Sequence, residues 1–253
     1  MSEEFLWTER YRPQTVADCI LPDRLKTIFQ KYVDEKAIPN MILFGGPGVG
    51  KTTVALAMCK EIGLNHILIN ASNERGIDTF RNKVVNYASS LSLTGGRKVI
   101  ILDEADNITV DAQKSLRGII EEFSRNCTFI LTCNFKSKIL DALHSRSPVV
   151  DFNLSKTEKV QAATAFFKRL KNVLETEGVP YESETLAKLV QKFFPDYRRT
   201  LGELQRLSKF GAIDSKLLDQ VSDIKNIKEL CKFLKEKNFK EVRKWVVDNG
   251  DID

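Results

Sequence analysis

One stretch of this chain has the residue types and spacing of a loop that binds phosphate groups. It fits the pattern G-x-x-x-x-G-K-[ST], in which glycines let successive backbone N–H groups point at phosphate oxygens. The lysine of such a loop reaches the outer phosphates, and the hydroxyl residue after it holds Mg²⁺. The residues that we predict to bind a nucleotide here are Gly45, Gly46, Pro47, Gly48, Val49, Gly50, Lys51, Thr52 and Thr53. The pattern therefore predicts a site for a nucleoside triphosphate with Mg²⁺.

Two carboxylates, Asp103 and Glu104, directly follow an apolar run at residues 99–102. At the tip of a strand, Asp103 could bind the same Mg²⁺ as Thr52, and Glu104 could orient or deprotonate an attacking water. Alone, the pair would fit a solvated acidic turn equally well. Its position after the phosphate loop favours hydrolysis of the bound nucleotide.

Two further polar residues complete a candidate catalytic set. Asn134 ends the next apolar run, and its neutral amide could hydrogen-bond the γ-phosphate and the water, although a turn asparagine is the alternative. Arg146 lies between Ser145 and Ser147, where a guanidinium could act as an arginine finger on a γ-phosphate. A plain surface arginine fits the same spacing.

Short apolar runs that alternate with helical patterns must position these residues. We predict strands at residues 41–44, 66–70, 99–102, 128–133 and 149–152, and helices at 53–62, 78–91, 112–125 and 137–144. This alternation is typical of an α/β fold with a mostly parallel sheet covered by helices on both faces. Ligands of such sheets bind at the carboxyl ends of the strands, where the phosphate loop is expected.

After residue 153 the pattern becomes purely helical. Ser155 and Glu158 form a capping box, which predicts the start of a helix. A second helix is predicted at 185–194, a third after Asp196 as N-cap, and two more at 225–237 and 238–248. We therefore expect three parts: a nucleotide-binding domain at 1–153, a helical lid domain at 154–222, and the first helices of a further domain at 223–253.

Composition sets the broad class of the protein. No apolar run of the 253 residues reaches membrane-spanning length, so we expect a soluble cytoplasmic protein without a membrane partner. Five scattered cysteines and two isolated histidines argue against a disulfide framework or a zinc site. A net charge of +5 permits nucleic acid as a partner, but only through placed residues.

Together these motifs resemble an AAA+ ATPase, a P-loop NTPase fold followed by an all-α lid. Residues 9–13, 70–78 and 145–147 narrow the resemblance to sliding-clamp loaders of the replication factor C type. Residues 20–22 and 195–204 are most similar to the large subunit of tailed-phage clamp loaders. The resemblance covers about residues 5–245 and implies an ATPase that works with other subunits, a ring-shaped clamp and primer–template DNA.

The resemblance also implies roles for single residues. Tyr11, Arg12 and Pro13 would lie over the adenine, and the backbone near Ile20 would close that pocket. Asn134 would be the first sensor of the nucleotide, and Arg198 the second, from the lid of the same subunit. Arg146 would serve the ATP of the neighbouring subunit; Ser147 stands where many relatives have Cys, which leaves the arginine unaffected.

Other basic and polar residues would link the site to DNA. The family places Arg75, Arg81 and Lys83 beside a DNA backbone, with a solvated charged helix as the alternative. Arg75 matches a switch position and would restrain Glu104 until DNA binds. Gln113, which matches a coupling residue, and Arg117 would be half-buried and reach across a subunit boundary; an edge-of-core polar pair is the alternative.

Two other functions remain open at this point. The first is a Holliday-junction branch-migration motor, whose winged-helix domain the sequence after residue 222 does not suggest. The second is an ATP-binding scaffold that does not hydrolyse ATP, which Glu104 and Arg146 argue against. Clamp-loader subunits continue into a full helical collar, and the sequence ends at Asp253 after what resembles only its first helices. We therefore expect an incomplete collar: either the sequence is truncated, in which case stable assembly would be weakened, or the gene product differs from its relatives.

Overall fold

The computed structural model of the protein describes residues 5–72, 77–90, 96–214, 233–236 and 238–248. Its centre is a sheet of five parallel strands in the order β2-β3-β4-β1-β5. The strands are β1 Met41–Phe44, β2 His66–Asn70, β3 Lys98–Asp103, β4 Cys127–Cys133 and β5 Val149–Asp151. All five predicted strands are confirmed, with ends shifted by one residue at most.

Helices cover both faces of this sheet, and further helices follow the last strand along the chain. They are α1 Trp7–Arg10, α2 Asp23–Asp34, α3 Lys51–Ile62, α4 Ile77–Ser89, α5 Val110–Glu122, α6 Asp141–His144, α7 Lys156–Thr176, α8 Ser183–Phe193, α9 Tyr197–Ser208 and α10 Phe239–Asp248. Two short 3₁₀ helices, Ala105–Asn107 and Lys136–Lys138, follow β3 and β4. Within the described residues no helix has both the length and the apolar character needed to cross a membrane.

The central strands β1, β3 and β4 are mostly apolar because both of their faces are buried. In β3, Ile100 and Leu102 pack into the core on one face of the sheet, and Val99 and Ile101 pack into the core on the other. Successive side chains of a strand point to opposite faces, so this alternation follows from the backbone geometry. The predicted parallel sheet covered on both faces is confirmed.

The lid helices α7, α8 and α9 surround a separate apolar cluster. Both predicted caps are present: Ser155 and Glu158 bond reciprocally at the start of α7, and the Asp196 side chain accepts a hydrogen bond from the Arg199 N–H. Trp7 of α1 is also buried in the lid cluster, and its backbone N–H donates to Gln205 Oε1 at 3.1 Å. The first described residues of the chain therefore pack on the lid.

The predicted helix at 137–144 is wrong. The chain forms the 3₁₀ helix Lys136–Lys138 and then the short helix α6. The Gln113 side chain accepts a hydrogen bond from the Leu140 N–H at 2.8 Å and donates one to the Lys138 carbonyl at 2.9 Å. These bonds take backbone groups that a continuous helix would need. Most of the predicted helix at 225–237 lies outside the described residues, and the helix predicted at 238–248 is confirmed as α10.

Candidate nucleotide site

A cleft opens where the carboxyl ends of β1, β3 and β4 face the lid. Most of the predicted nucleotide-site residues line it: Tyr11, Arg12, Pro13, Ile20, Pro47, Gly48, Val49, Gly50, Lys51, Thr52, Thr53, Asp103, Glu104, Asn134 and Arg198. The sheet topology explains this grouping, because parallel strands bring their carboxyl ends to one edge. The remaining predicted loop residues, Gly45 and Gly46, contribute backbone carbonyls beside the cleft.

Lys51 is held over the phosphate loop by three oxygen atoms. Its Nζ donates to the carbonyls of Gly45 and Gly46 at 2.8 and 2.7 Å and to Asn134 Oδ1 at 2.8 Å. Gly50, just before it, has φ of 95°, a left-handed conformation that a side chain would strain. Burial lowers the pKa of Lys51. The lysine is thus placed, before any ligand enters, where outer phosphates of a nucleotide would lie.

The Thr52 hydroxyl and the Asp103 carboxylate meet at one corner of the cleft. Thr52 Oγ1 donates to Asp103 Oδ1 at 2.6 Å, and Thr132 Oγ1 donates to the same oxygen at 2.6 Å. Hydroxyl and carboxylate oxygens are the hard ligands that Mg²⁺ prefers. The donor set therefore fits the predicted metal. Sequence reasoning missed Thr132, which lies two residues before the predicted Asn134.

Glu104 has a strained backbone and an engaged side chain. Its φ of 56° is left-handed, which is uncommon for a residue other than glycine and is found preferentially at functional sites. Its carboxylate accepts hydrogen bonds from the Ser72 hydroxyl and, at 3.3 Å, from the Asn107 amide. Both partners were missed, although the pairing of Asn70 with Asp103 places the chain after β2 beside the end of β3. Two neutral donors therefore hold this glutamate.

The far side of the cleft joins the N-terminal segment to the lid. Tyr11 lines the cleft and donates its hydroxyl proton to Glu177 Oε1 at the end of α7, at 2.5 Å. Burial raises the pKa of Tyr11. Arg12, which also lines the cleft, is held by Glu9 at 2.6 Å. Of the residues predicted to lie over an adenine, Tyr11 is thus tied to the lid and Arg12 to α1.

The start of α9 lies directly on the phosphate loop. The Tyr197 N–H donates to the Gly48 carbonyl at 3.1 Å, and the Tyr197 ring packs against Phe166 with centroids 4.7 Å apart. Gly48 has φ of 67°, and a methyl group on it would lie 1.8 Å from Asp196 Oδ1. Arg198 follows on the same helix and lines the cleft. The lid therefore contacts the phosphate loop at Gly48, where a side chain would clash with Asp196.

Substitution Gly48→Ala should unseat the lid. We expect left-handed strain of about 1–2 kcal/mol, together with a clash that displaces Asp196. The weakened seat should reduce ATP affinity by roughly tenfold, or about 1.4 kcal/mol. Thermal unfolding without nucleotide and equilibrium ATP binding would measure the two effects.

The matched control for this variant is Gly63→Ala. Gly63 is also left-handed, with φ of 78°, but nothing lies within 4 Å of the added methyl group. It should show the strain alone and bind ATP normally. Equal losses of stability in the two variants, with unchanged ATP binding in both, would contradict the role given to the Gly48 contact.

Arg146 lies away from the cleft of its own chain. Its Nε donates to Glu121 Oε1 at 2.7 Å, and its Nη1 donates to the Ala142 carbonyl at 2.8 Å. The bond to Arg146 lowers the pKa of Glu121. Among described residues, the arginines that line the cleft are Arg12, Arg169 and Arg198. The structure therefore brings together every predicted catalytic residue except Arg146.

Family models match the two main parts of the chain. Residues 41–153 match the ATPase family associated with various cellular activities (AAA), and residues 158–219 match the AAA+ ATPase lid domain of the sliding-clamp-loader large subunit. The sliding-clamp-loader large subunit of Enterobacteria phage T4 is 35% identical over 95% of this chain and 77% of its own length. The chain belongs to the AAA+ clamp-loader family.

Archaeal relatives support the same family. The replication factor C small subunit of Methanothermobacter thermautotrophicus is 35% identical, over 94% of this chain and 75% of its own length. The Holliday junction branch migration motor RuvB of Thermotoga maritima has a TM-score of 0.66 at 15% identity, over 90% of this chain and 80% of that one. This likeness shows the fold alone. With a clamp-loader lid in the chain, the branch-migration alternative is not favoured.

The described residues that the clamp-loader resemblance assigns to DNA or to coupling are not among those that line the cleft. Arg75, the expected switch residue, is outside the described residues. Arg81 and Lys83 are exposed on α4. Arg117 is exposed on α5, 3.9 Å from Glu121.

The expectation that Gln113 is half-buried is wrong, and its reach across a subunit boundary stays a prediction. Its side chain is 1% exposed and bonds to the backbone of Ile108, Lys138 and Leu140. An amide with both ends engaged inside the subunit fixes the loop before α6, which leads to Arg146.

Proposed function

We propose that this clamp-loader subunit hydrolyses ATP in a site that a neighbouring copy of the chain completes. The observation that supports this most directly is the division of the catalytic residues: Lys51, Asp103, Glu104 and Asn134 share one cleft, while Arg146 is held elsewhere by Glu121. Because Arg146 does not reach the cleft of its own chain in this arrangement, it is available to contact the ATP of a neighbouring subunit. Arg198 of the lid would contact the nucleotide in its own subunit.

The reaction would be attack of water on the γ-phosphorus of ATP. Glu104 takes a proton from the water as the new P–O bond forms and the bond to the β–γ bridging oxygen breaks, which yields ADP and phosphate. Thr52 and Asp103 would hold Mg²⁺, which neutralises charge on the β- and γ-phosphates. Lys51 and Asn134, already in contact at 2.8 Å, would bind the γ-phosphate oxygens.

Control of this reaction would come from the clamp and from DNA. In the proposed cycle, ATP holds a spiral of identical ATPase subunits with one distinct subunit, and this spiral opens the ring-shaped clamp. Primer–template DNA then triggers hydrolysis, and the clamp closes on the DNA. The exposed Arg81 and Lys83 on α4 suit backbone phosphates, which need no sequence-specific contacts. Arg75 would act with them. We place this cycle in the cytoplasm, in the host cell if the gene is from a phage.

Hydrolysis by the assembled complex tests this function. We expect the rate of ATP hydrolysis to rise several-fold when the clamp and primed DNA are both present, and to rise less with either alone. Duplex DNA without a primer end and a clamp from an unrelated system are the controls. A rate that is the same with and without both ligands would rule out the proposed control.

A non-hydrolysing scaffold is the remaining alternative. Glu104, the predicted base, is present beside the residues predicted to bind Mg²⁺, and Arg146 is present as the predicted finger. A scaffold subunit would need neither residue. Tight ATP binding with no release of phosphate from any assembled complex would favour the scaffold.

A further inference from the structure

Asp106 is a buried carboxylate that the proposed mechanism does not use. It lies in the 3₁₀ helix Ala105–Asn107, directly after Glu104, and is 8% exposed. Its Oδ2 accepts hydrogen bonds from the backbone N–H of Asn134 at 3.2 Å and of Phe135 at 3.1 Å. One oxygen thus binds the two amides at which β4 ends and the chain turns away from the sheet.

This contact fixes the direction in which the Asn134 side chain leaves the backbone. Asn134 is the first residue after β4, and the Gly45 N–H donates to the carbonyl of Cys133 just before it. Two amides that share one carboxylate oxygen determine the orientation of the peptide groups on both sides of its Cα. With the backbone in this position, Asn134 Oδ1 accepts the hydrogen bond from Lys51 Nζ at 2.8 Å.

A second contact in the opposite direction makes the link rigid. Thr132 of β4 donates its hydroxyl proton to Asp103 Oδ1 at 2.6 Å and accepts the Glu104 N–H at 3.1 Å. Thus β4 holds the end of β3 through Thr132, while the segment after β3 holds the end of β4 through Asp106. The residues at the two strand ends, Glu104 and Asn134, are thereby kept at a constant separation.

A purely structural role is the simpler explanation of Asp106, since a buried amide needs an acceptor. One observation goes beyond it. Asp106 Oδ1 is buried without a hydrogen-bond partner among the described residues, which is costly for a carboxylate and would not be needed to cap two amides. A neutral acceptor would satisfy the amides at lower cost.

We propose that Asp106 is a positioning residue for Asn134, which it aims at the γ-phosphate of ATP and at Lys51. This inference rests on the proposed function, because it assumes that Asn134 contacts the γ-phosphate during hydrolysis. Asp106 itself touches no substrate. It acts through the peptide groups of residues 134 and 135.

Three variants in the assembled loader, with clamp and primed DNA, test the proposal. Substitution Asp106→Ala removes the acceptor, and we expect kcat to fall roughly 10- to 100-fold, the cost of a misplacement of about 1 Å, while the KM for ATP changes less than about threefold. Asp106→Asn keeps one oxygen that can accept both N–H bonds and should recover most of kcat. Asp111→Ala removes an exposed carboxylate paired with Lys114 and should behave like the unaltered protein.

Coupling to Asn134 is the decisive measurement. If Asp106 acts through Asn134, the double variant Asp106→Ala/Asn134→Ala should be no slower than Asn134→Ala alone. Both substitutions would then remove the same contribution of Asn134 to kcat. Losses that multiply would overturn the proposal. So would Asp106→Asn as slow as Asp106→Ala with a matching fall in melting temperature, which would indicate a structural role only. If the unaltered protein hydrolyses no ATP, the proposed function fails. If the unaltered protein is active and Asp106→Ala is equally fast, only the positioning role of Asp106 fails.

Discussion

Replacing Arg146 with alanine is expected to lower ATP turnover of the assembled loader by about 10³- to 10⁵-fold, the contribution of an arginine finger to phosphoryl transfer. The affinity for ATP should stay near normal, because Arg146 lies away from the cleft that contains Lys51 and Thr52. Single-turnover phosphate release, measured beside equilibrium nucleotide binding, would separate the two effects. Arg206→Ala, which removes an exposed arginine paired with the carboxylate of Glu203, is the control.

A mixing experiment tests whether the arginine acts across subunits. Subunits that carry Arg146→Ala keep their own Glu104, and subunits that carry Glu104→Gln keep their own Arg146. In mixed assemblies, a Glu104→Gln neighbour should supply the missing arginine and restore part of the activity. No recovery at any mixing ratio, or full activity of Arg146→Ala alone, would contradict the placement of Arg146 in the site of a neighbour.

The second large effect is expected from Glu104→Gln. The amide has the same shape but cannot take a proton from water, and loss of a general base lowers the rate by about 10²- to 10⁴-fold. ATP should bind as before, so the assembled loader should accumulate with uncleaved ATP bound. Quenched-flow measurement of the first turnover would show whether the chemical step is the one that slows.

The control for this variant is Glu35→Gln, which changes an exposed glutamate just after the end of α2, paired with Lys31. It should leave both ATP binding and hydrolysis unchanged. If Glu104→Gln retains the full rate, another group takes the proton, and the assignment of Glu104 as the base is wrong.

The fold could be predicted from the sequence because its signals are local. Each of the five strands is a short, mostly apolar run, and the capping box at Ser155 and the N-cap at Asp196 mark helix starts by residue type alone. The phosphate-loop and strand-end residues of the cleft could be predicted because these motifs have fixed spacing, whereas Tyr11, Ile20 and Arg198 followed only from the family resemblance. Their roles, unlike the fold, stay predictions.

The contacts that could not be predicted are long-range side-chain hydrogen bonds. Ser72 meets Glu104, and Thr132 meets Asp103, only because the register of the sheet brings separate strand ends together. The same limit explains the error at 137–144, where Gln113, about 25 residues earlier in the chain, takes the backbone groups of the expected helix. No local pattern carries such information, since serine, threonine and glutamine are common at the surface as well.

The burial of Trp7 in the lid has a practical consequence for spectroscopy. The chain has two tryptophans, and Trp7 is 4% exposed, with its ring centroid 6.4 Å from that of Tyr11 in the cleft. Indole emission depends on the polarity of its surroundings, so the fluorescence of Trp7 should change whenever an incoming base moves Tyr11 or the lid. With Trp245 replaced by phenylalanine, the protein would carry its own optical probe of nucleotide entry, free of any attached dye.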